Sequence, residues 1–298
     1  PGDHVLVTAM EHNAVMRPLV ALEKKGVTFD RVRCNVQGEL EFGKMEALVK
    51  PNTKAVVMTA ASNICGTTMP IKEVGQFCKE KDLIFILDAA QLAGVEPISM
   101  KEMNIDILAF TGHKSLLGPQ GIGGFLIREE LVEQIPSLIT GGTGSFSDSE
   151  ETPKVMPDKY EAGTLNLPGI HGLYHALGFI EKTGIENIKK VEMERTKEFI
   201  DGVKEIPGIR LIGKDSVKGR TAVVSLQCDF CDEATLAFLL DQNYHIMTRV
   251  GLHCAPNAHK TLGTFPRGTV RFSFGYFTTS EEIQKAIDAI KEIKKSVE

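Results

Sequence analysis

The stretch that decides the fold class runs from residue 84 to residue 91 and reads IFILDAAQ. Four apolar residues are followed at once by the carboxylate of Asp88 and by small residues. A short, continuous apolar run of this kind is typical of a strand that is buried on both faces of a parallel sheet. Ligands of open α/β folds bind beyond the carboxyl ends of such strands. We therefore expect Asp88 to lie at the edge of a binding crevice.

Strand-like and helical patterns alternate on either side of this stretch. Apolar residues at helical spacing predict helices over residues 14–25 and 71–81. Apolar runs of strand length predict further strands at Val5–Val7, Ala55–Met58, Ile107–Phe110 and Gly121–Ile127. Such alternation predicts an α/β fold in which helices flank a mostly parallel central sheet.

The pattern changes near residue 168, where longer helical segments begin. We expect a large domain over residues 1–167 and a smaller C-terminal α/β domain over residues 168–298. Within the smaller domain, helices are predicted over 168–182, 185–205, 233–241 and 280–297, and strands over 221–226, 245–249 and 268–273. Thr279 and Glu282 form a capping box at the start of the last helix. The predicted buried stripe of that helix consists of Ile283, Ile287, Ile290 and Val297.

The composition excludes several classes of protein. The chain has 298 residues, of which 42% are hydrophobic and 24% charged, and its net charge is -5. No apolar stretch is long enough to span a membrane, and no basic cluster marks a surface for nucleic acid or lipid. The six cysteines lack the density of a disulfide scaffold, so we expect reduced thiols in a cytoplasmic protein. Cys228 and Cys231 form a C-x-x-C without a second pair, so we predict no metal site.

A second candidate ligand group follows the next predicted strand. The motif Thr111-Gly-His-Lys114 places an amine there, so that Asp88 and Lys114 can reach one crevice. Two such residues are most often a structural ion pair. The alternative is a cofactor site, because a lysine that attacks a carbonyl group must be neutral, and an aspartate can hold a proton on a pyridine nitrogen. Small residues around both positions leave room for a flat ring.

Six short motifs occur in order along the chain: Glu11-His-Asn-Ala-Val15, Ser62-Asn63, Asp88-Ala-Ala-Gln91, Thr111-Gly-His-Lys114, Glu161-Ala-Gly-Thr164 and Arg249-Val-Gly-Leu-His-Cys254. Together they resemble the class V aminotransferase group of fold-type I pyridoxal-phosphate (PLP) enzymes, and within it the SufS-like cysteine desulfurases. The resemblance implies PLP as the cofactor and L-cysteine as the substrate. Members of this group carry a further N-terminal segment with a phosphate-binding turn, so we expect that this segment is missing before Pro1.

The resemblance also implies a role for each residue of the cofactor site. Lys114 would bind PLP covalently, Asp88 would face its pyridine nitrogen, and His12 would stack on its ring. Asn63 and Gln91 would bind its phenolic oxygen, a role that suits amides because they donate hydrogen bonds without adding charge.

The cofactor's phosphate would be bound from two subunits. The resemblance implies that Thr111 and His113 bind it from one side. It implies that Thr164 reaches the phosphate of a neighbouring subunit, because the active sites of the group lie at a dimer interface. A homodimer is therefore expected.

Cys254 would determine the reaction, because a thiolate can attack the sulfur of a cysteine substrate and leave alanine and a protein persulfide. A lone cysteine is more often a buried structural thiol. Cys254, however, follows His253 and lies close to Arg249, and cationic neighbours favour a thiolate. The resemblance further implies that Arg271 binds the substrate's carboxylate, for which a planar guanidinium is suited, and Arg249 is a weaker candidate for the same contact.

Three functions remain open from the sequence. The first is a PLP-dependent cysteine desulfurase that passes sulfur to an acceptor protein, for iron–sulfur cluster or thiocofactor supply. The second is a selenocysteine lyase or another class V aminotransferase. The third is a non-catalytic fragment or scaffold that only dimerises or binds partners. A nucleotide site is not expected, because the chain has neither a G-x-G-x-x-G after a strand nor a G-x-x-x-x-G-K-[ST].

Overall fold

The computed structural model describes residues 1–297, and its N-terminal part is built on a six-stranded sheet. The strands are β1 (His4–Thr8), β2 (Thr28–Val32), β3 (Thr53–Thr59), β4 (Ile84–Asp88), β5 (Ile107–Thr111) and β6 (Gly123–Ile127). Their order is β2-β1-β3-β4-β5-β6, and every neighbouring pair is parallel except β5 with β6. The predicted mostly parallel sheet is therefore confirmed, with one antiparallel strand at its edge.

Helices cover both faces of this sheet. Leu6 and Val7 of β1 are both fully buried, and they point to opposite faces because side chains alternate along a strand. Val7 packs in a cluster with apolar residues of α1 (Asn13–Glu23), whereas Leu6 lies in the larger cluster to which α2 (Ile71–Glu80) contributes. A short helix, α3 (Glu129–Val132), follows β6. β1 and β3 are thus largely buried on both faces, whereas Ile86 of β4 and Ala109 of β5 are only partly buried.

The C-terminal part contains a second sheet of four antiparallel strands, in the order β7-β8-β10-β9. Its elements are α4 (Leu167–Thr183), α5 (Ile185–Lys204), β7 (Ile209–Ile212), β8 (Val223–Cys228), α6 (Glu233–Tyr244), β9 (Arg249–Gly251), α7 (Pro256–Thr261), β10 (Thr269–Ser273) and α8 (Ser280–Val297). Among the described residues, no helix combines the length and apolar character needed to cross a bilayer. The domain boundary at residue 167 stays a prediction.

The start of α8 follows the sequence prediction in detail. Thr279 N–H donates to Glu282 Oε2 at 2.9 Å, and Glu282 N–H donates to Thr279 Oγ1 at 3.2 Å, so the capping box is confirmed. Ile283, Ile287 and Ile290 are buried as predicted. The assignment of Val297 to this stripe is wrong, because its side chain is 39% exposed at the last turn.

Some predicted elements are shifted or wrong. The strand predicted over His245–Arg249 is wrong: His245 ends α6 with a left-handed φ of 56°, and the strand runs from Arg249 to Gly251. No sequence pattern predicted β2 or β7. β2 carries Asp30 and Arg31 in its middle, and its residues are partly exposed at the sheet edge, so it lacks the apolar run that marks a buried strand.

Hydrogen bonds between buried groups join the two sheets. Ser225 Oγ of β8 donates to the carbonyl oxygen of Ile64 at 2.6 Å, and Arg271 Nη1 of β10 donates to that of Asn63 at 2.9 Å. Asn257 Nδ2 of α7 donates to the carbonyl oxygen of Ala9 at 3.0 Å, just beyond β1. The second sheet is therefore fixed against the carboxyl edge of the first, where ligands of such folds bind.

Candidate active site

Asp88 and Lys114 lie on neighbouring strand ends. Asp88 is the last residue of β4, and its Oδ1 accepts a hydrogen bond from Ala90 N–H at 3.0 Å, which fixes the carboxylate beyond the strand. Lys114 follows Thr111, the last residue of β5, after a short turn. The two residues face one cavity of about 550 Å³. This volume is within the range of small-molecule sites.

The cavity brings together seven of the predicted cofactor-site residues. Its lining includes His12, Asn63, Asp88, Gln91, Thr111, His113 and Lys114. They come from the ends of several strands and from the first turn of α1, so residues far apart in sequence meet at the edge of the sheet. Their roles toward a cofactor stay predictions.

Lys114 has an environment that favours a neutral amine. The residue as a whole is exposed, but protein atoms crowd its amino group, and this loss of hydration lowers its pKa. The negative charge of Asp88 opposes this shift, and the positive charge of Arg271 adds to it. A lysine with a lowered pKa has a larger neutral fraction near pH 7, as attack on a carbonyl group requires.

His12 is neutral, and its proton position is fixed. It is the N-cap of α1, where its Nδ1 accepts a hydrogen bond from Ala14 N–H at 3.0 Å. Partial burial and the charge of Lys114 lower the pKa of His12, while the charge of Asp88 raises it. A neutral ring that accepts through Nδ1 carries its proton on Nε2. His12 therefore lines the cavity as a neutral aromatic ring.

The remaining polar groups of the cavity are held by partners. Thr111 Oγ1 and His113 Nδ1 form a hydrogen bond of 2.8 Å. Asn63 Nδ2 donates to the carbonyl oxygen of His253 at 2.8 Å, which leaves its second N–H for a ligand. The site thus offers hydroxyl, imidazole and amide groups around the ring-sized space between Asp88 and Lys114.

A second, smaller cavity adjoins the first. It has a volume of about 270 Å³, and Gln91 and Lys114 line both cavities. Arg271 lines the smaller one, and its buried Nε has no hydrogen-bond partner among residues 1–297. Burial and the nearby charge of Arg249 lower the pKa of Arg271, but a guanidinium stays charged in proteins. Arg271 therefore presents an unpaired donor beside Lys114.

Glu192 also lines the smaller cavity, although it belongs to none of the motifs that predicted the site. It is buried on α5, and this burial raises its pKa to about 7. A signal was present in the sequence, because Glu192 interrupts the apolar stripe that Ile188, Phe199 and Val203 form at helical spacing. A carboxyl group on such a stripe is buried together with the apolar residues on the same face of the helix.

Cys254 lies in a turn that is tied to the first sheet. Its carbonyl oxygen accepts a hydrogen bond from Asn13 N–H at 2.8 Å, and the adjacent His253 carbonyl accepts from Asn63. Both turn residues have left-handed backbones, with φ of 46° at His253 and 59° at Cys254. The side chain of Cys254 is exposed. The turn therefore fixes an accessible thiol next to the backbone that carries His12.

The prediction that His253 is a cationic neighbour of Cys254 is wrong. His253 is 5% exposed, and its Nε2 bonds with Thr269 Oγ1 at 2.9 Å. Burial, assisted by the charge of Arg271, lowers the pKa of His253 to about 3. Its ring is therefore neutral near pH 7. It shapes the turn and adds no positive charge beside the thiol.

Arg249 and Thr164 lie outside both cavities. Arg249 is exposed on β9 and stands directly opposite Arg271 of β10 in the register of the sheet. Thr164 is exposed in the loop before α4 and is not among the residues that line either cavity. The predicted contact of Thr164 with a neighbouring subunit stays a prediction.

Glu11 is a buried acid at the same sheet edge. Its Oε1 accepts from Thr8 Oγ1 at 2.5 Å and from Thr59 N–H at 2.9 Å, and its Oε2 has no hydrogen-bond partner in the part of the chain that the structure describes. Burial is the main cause that raises the pKa of Glu11 to about 8, and the charge of Asp88 contributes. Glu11 is therefore protonated near pH 7, which avoids two adjacent negative charges.

The lining residues fit pyridoxal phosphate in their chemistry. Asp88 is an acceptor for a protonated ring nitrogen, Lys114 is an amine with a lowered pKa for an aldehyde, and His12 is a neutral ring that can stack. Donors for a phenolic oxygen are present on Asn63 and Gln91. Among residues 1–297, no group of three metal-ligating side chains is found.

Comparison with known proteins agrees with this geometry. The model of the family Aminotransferase class-V matches residues 1–286. The chain belongs to this family. Class V aminotransferases depend on pyridoxal phosphate, so the predictions of an enzyme and of this cofactor are confirmed.

Relatives of this class V aminotransferase chain carry a common name. This chain is 34% identical to the probable cysteine desulfurase of Methanothermobacter thermautotrophicus, over 98% of this chain and 73% of the relative. It is 32% identical to the probable cysteine desulfurase of Xylella fastidiosa, over 99% of this chain and 70% of the relative. The solved apo structure of the cysteine desulfurase from Thermococcus onnurineus superposes with a TM-score of 0.92 at 31% identity, covering 99% of this chain and 73% of that one. The predicted fold class, fold-type I, is thereby confirmed.

Proposed function

We propose that this chain is a PLP-dependent cysteine desulfurase, which converts L-cysteine to L-alanine and takes up the sulfur as a persulfide on Cys254. The observation that carries the proposal is the hydrogen bond from Asn13 N–H to the carbonyl oxygen of Cys254. It ties the turn that carries an exposed thiol to the residue after His12, and His12 lines the cavity that Asp88 and Lys114 share. The names of the relatives support the same reaction.

Three residues prepare the site for this chemistry. Pyridoxal phosphate, when bound, supplies an electron sink that weakens bonds next to the substrate's α-carbon. Crowding lowers the pKa of Lys114, which enlarges the neutral fraction of its amine. Asp88, fixed by Ala90 N–H, would hold a proton on the ring nitrogen, and His12 would stack as a neutral ring with its proton on Nε2.

Arg271 and Cys254 act on the substrate. The unpaired Nε of Arg271 would bind the substrate's carboxylate beside Lys114. The thiolate of Cys254 would attack the substrate's sulfur: an S–S bond forms and the carbon–sulfur bond breaks. The electron pair of the broken bond stays with the carbon, which is protonated to the methyl group of alanine.

We further propose a homodimer that transfers the persulfide sulfur to an acceptor protein in the cytoplasm, for iron–sulfur clusters or thiocofactors. Large apolar side chains on the surface support a partner chain: Leu138 is 98% exposed and Tyr174 of α4 is 69% exposed. Thr164 lies in the loop between these residues, where it could reach a neighbouring active site.

The test is turnover of L-cysteine by the chain loaded with PLP, with alanine and sulfide as products in the presence of a reductant. Cys254→Ala should lower desulfuration by roughly 10²-fold or more while the visible absorbance of the bound cofactor is retained. Lys114→Ala should lose both turnover and covalent cofactor. Wild-type turnover by Cys254→Ala would exclude Cys254 as the nucleophile. Turnover of selenocysteine alone would instead favour a selenocysteine lyase.

A further inference from the structure

The C-x-x-C at the end of β8 lies apart from the candidate active site. Cys228 is the last residue of β8 and is buried, whereas Cys231 is partly exposed just before α6. Their sulfur atoms are 3.7 Å apart, and Cys228 Sγ also donates to the carbonyl oxygen of Cys231 at 3.3 Å. A disulfide bond has a length of about 2.05 Å, so the sulfur atoms need to approach by only about 1.7 Å.

The turn that carries the two thiols is held rigidly by one arginine. Arg267 Nη2 donates to the carbonyl oxygens of both cysteines, at 2.7 Å for Cys228 and 3.1 Å for Cys231. Arg267 Nε pairs with Glu233 Oε2 at 2.7 Å. The thiols are thus kept facing each other in the reduced protein, and the ordering that bond formation needs is already present.

A buried acid lies next to the pair. Glu233 is 3% exposed, and its Oε1 has no hydrogen-bond partner among the described residues. Burial raises the pKa of the Cys228 thiol to about 12, and burial also raises that of Cys231; the charge of Glu233 adds to both shifts. Both groups are therefore protonated thiols near pH 7, so the reduced form gains nothing from a stabilised thiolate.

We propose that Cys228 and Cys231 form a reversible disulfide, a redox site separate from the sulfur-transfer chemistry of Cys254. The oxidant is a low-molecular-weight disulfide. Cys231, the more exposed residue, loses its proton to solvent, attacks one sulfur of this disulfide as the thiolate, forms a mixed disulfide and releases the other half as a thiol. Cys228 then attacks the sulfur of Cys231, forms the internal S–S bond and releases the second thiol. In total the protein loses two electrons and two protons, and the oxidant becomes two thiols.

The environment favours the oxidised form once it is made. Dithiols that are strong oxidants owe this to a thiolate that stabilises their reduced form. Raised thiol pKa values remove that stabilisation here. Among the described residues, the pair belongs to no group of three metal-ligating side chains. The pair is therefore suited to respond to the thiol–disulfide balance of its surroundings.

The sequence allows a direct test by mass spectrometry. Trypsin releases residues 221–249 as one peptide that contains Cys228 and Cys231, and every other cysteine is on a different peptide. The purified full chain is incubated with oxidised glutathione, quenched in acid, denatured and alkylated. We expect the 221–249 peptide to be lighter by two hydrogens and without alkyl groups, and the intact chain to carry two fewer alkyl groups. Dithiothreitol should restore both.

Two variants serve as controls. Cys231→Ser should abolish the internal bond, and Cys254→Ser should leave it intact, because Cys254 is on another peptide and plays no part in it. The proposal is overturned if the wild-type 221–249 peptide keeps two alkylated thiols while the Cys254 peptide becomes glutathionylated. A stable glutathione adduct on Cys231, or a bond from Cys228 to another peptide, would overturn it equally.

Discussion

Cys254 is held in a backbone conformation that cysteine rarely adopts. His253 and Cys254 both have left-handed φ values, and a non-glycine residue there costs of order 1–3 kcal/mol. Hydrogen bonds from Asn13 and from the side chain of Asn63 fix the two carbonyl groups and maintain the turn. These hydrogen bonds therefore hold the Cys254 thiol in a turn conformation that the local sequence does not favour.

The strain makes a prediction about two substitutions of the same residue. Cys254→Gly should be more stable than Cys254→Ala by about 1 kcal/mol, because glycine adopts positive φ without a Cβ clash. Unfolding in urea measures the difference. The exposed Val20 in α1 is the control, since glycine there should be less stable than alanine by about 0.5–1 kcal/mol. Equal stability of the two Cys254 variants would contradict the strain.

Glu11 gives a prediction about pH. Its pKa is raised from 4.5 to about 8 in the folded protein, so between these values the folded state binds more protons than the unfolded state. The stability that protonation contributes is complete below pH 4.5 and is lost as the pH rises through about 8. Glu11→Gln keeps the acceptor for Thr59 N–H but cannot ionise. Its free energy of unfolding relative to wild type should therefore increase with pH.

Urea unfolding between about pH 6 and about pH 9 measures this difference, and groups that both proteins share cancel in it. Glu23→Gln, at the exposed end of α1, is the matched control and should show a constant difference. A constant difference for Glu11→Gln as well would mean that Glu11 is already ionised in the folded protein.

At the scale of elements, α8 offers the best-defined test. Thr279→Ala removes the side-chain acceptor for Glu282 N–H and should cost about 1 kcal/mol of stability. Combining it with Glu282→Ala should cost less than the sum of the two changes, because the two side chains act on one capping box. Val297→Ala, in the exposed last turn, should change stability by less than about 0.5 kcal/mol. If the stability losses of Thr279→Ala and Glu282→Ala were additive, the two side chains would not act together as a capping box.

A helix or strand could be predicted from the sequence where the residues of that element alone carry a clear apolar pattern. β4 and β5 were predicted because each carries a continuous apolar run, which is typical of strands in a parallel sheet, and this same pattern located Asp88 and Lys114. β2 and β7 were missed because they lie at sheet edges, where polar side chains interrupt the pattern. The helix end at His245 needs a left-handed residue that is not glycine, and the sequence gives no sign of it.

The candidate site likewise has residues that a local sequence pattern predicts and contacts that it does not. The cofactor-site residues follow strand ends or the start of α1, so a local pattern together with the resemblance was enough to predict them. The bonds from Asn63 to His253 and from Asn13 to Cys254 join segments that are far apart in the chain, and no local pattern indicates such contacts. The neutrality of His253 likewise depends on burial by distant residues.

At the scale of the whole molecule, the position of Cys254 and Arg271 depends on how the second sheet is fixed to the first. Ser225 and Ile64, at the centre of this joint, are both fully buried. Ser225→Ala removes the only donor shown for the Ile64 carbonyl oxygen in the described part of the chain, and it should cost about 1–3 kcal/mol. Ser296→Ala, whose hydroxyl bonds only within α8, is the control and should cost less than about 1 kcal/mol. If the bond between Ser225 and Ile64 also positions Cys254 and Arg271, Ser225→Ala should lower L-cysteine turnover at constant cofactor content. Unchanged stability of Ser225→Ala would mean that other contacts hold the two sheets together.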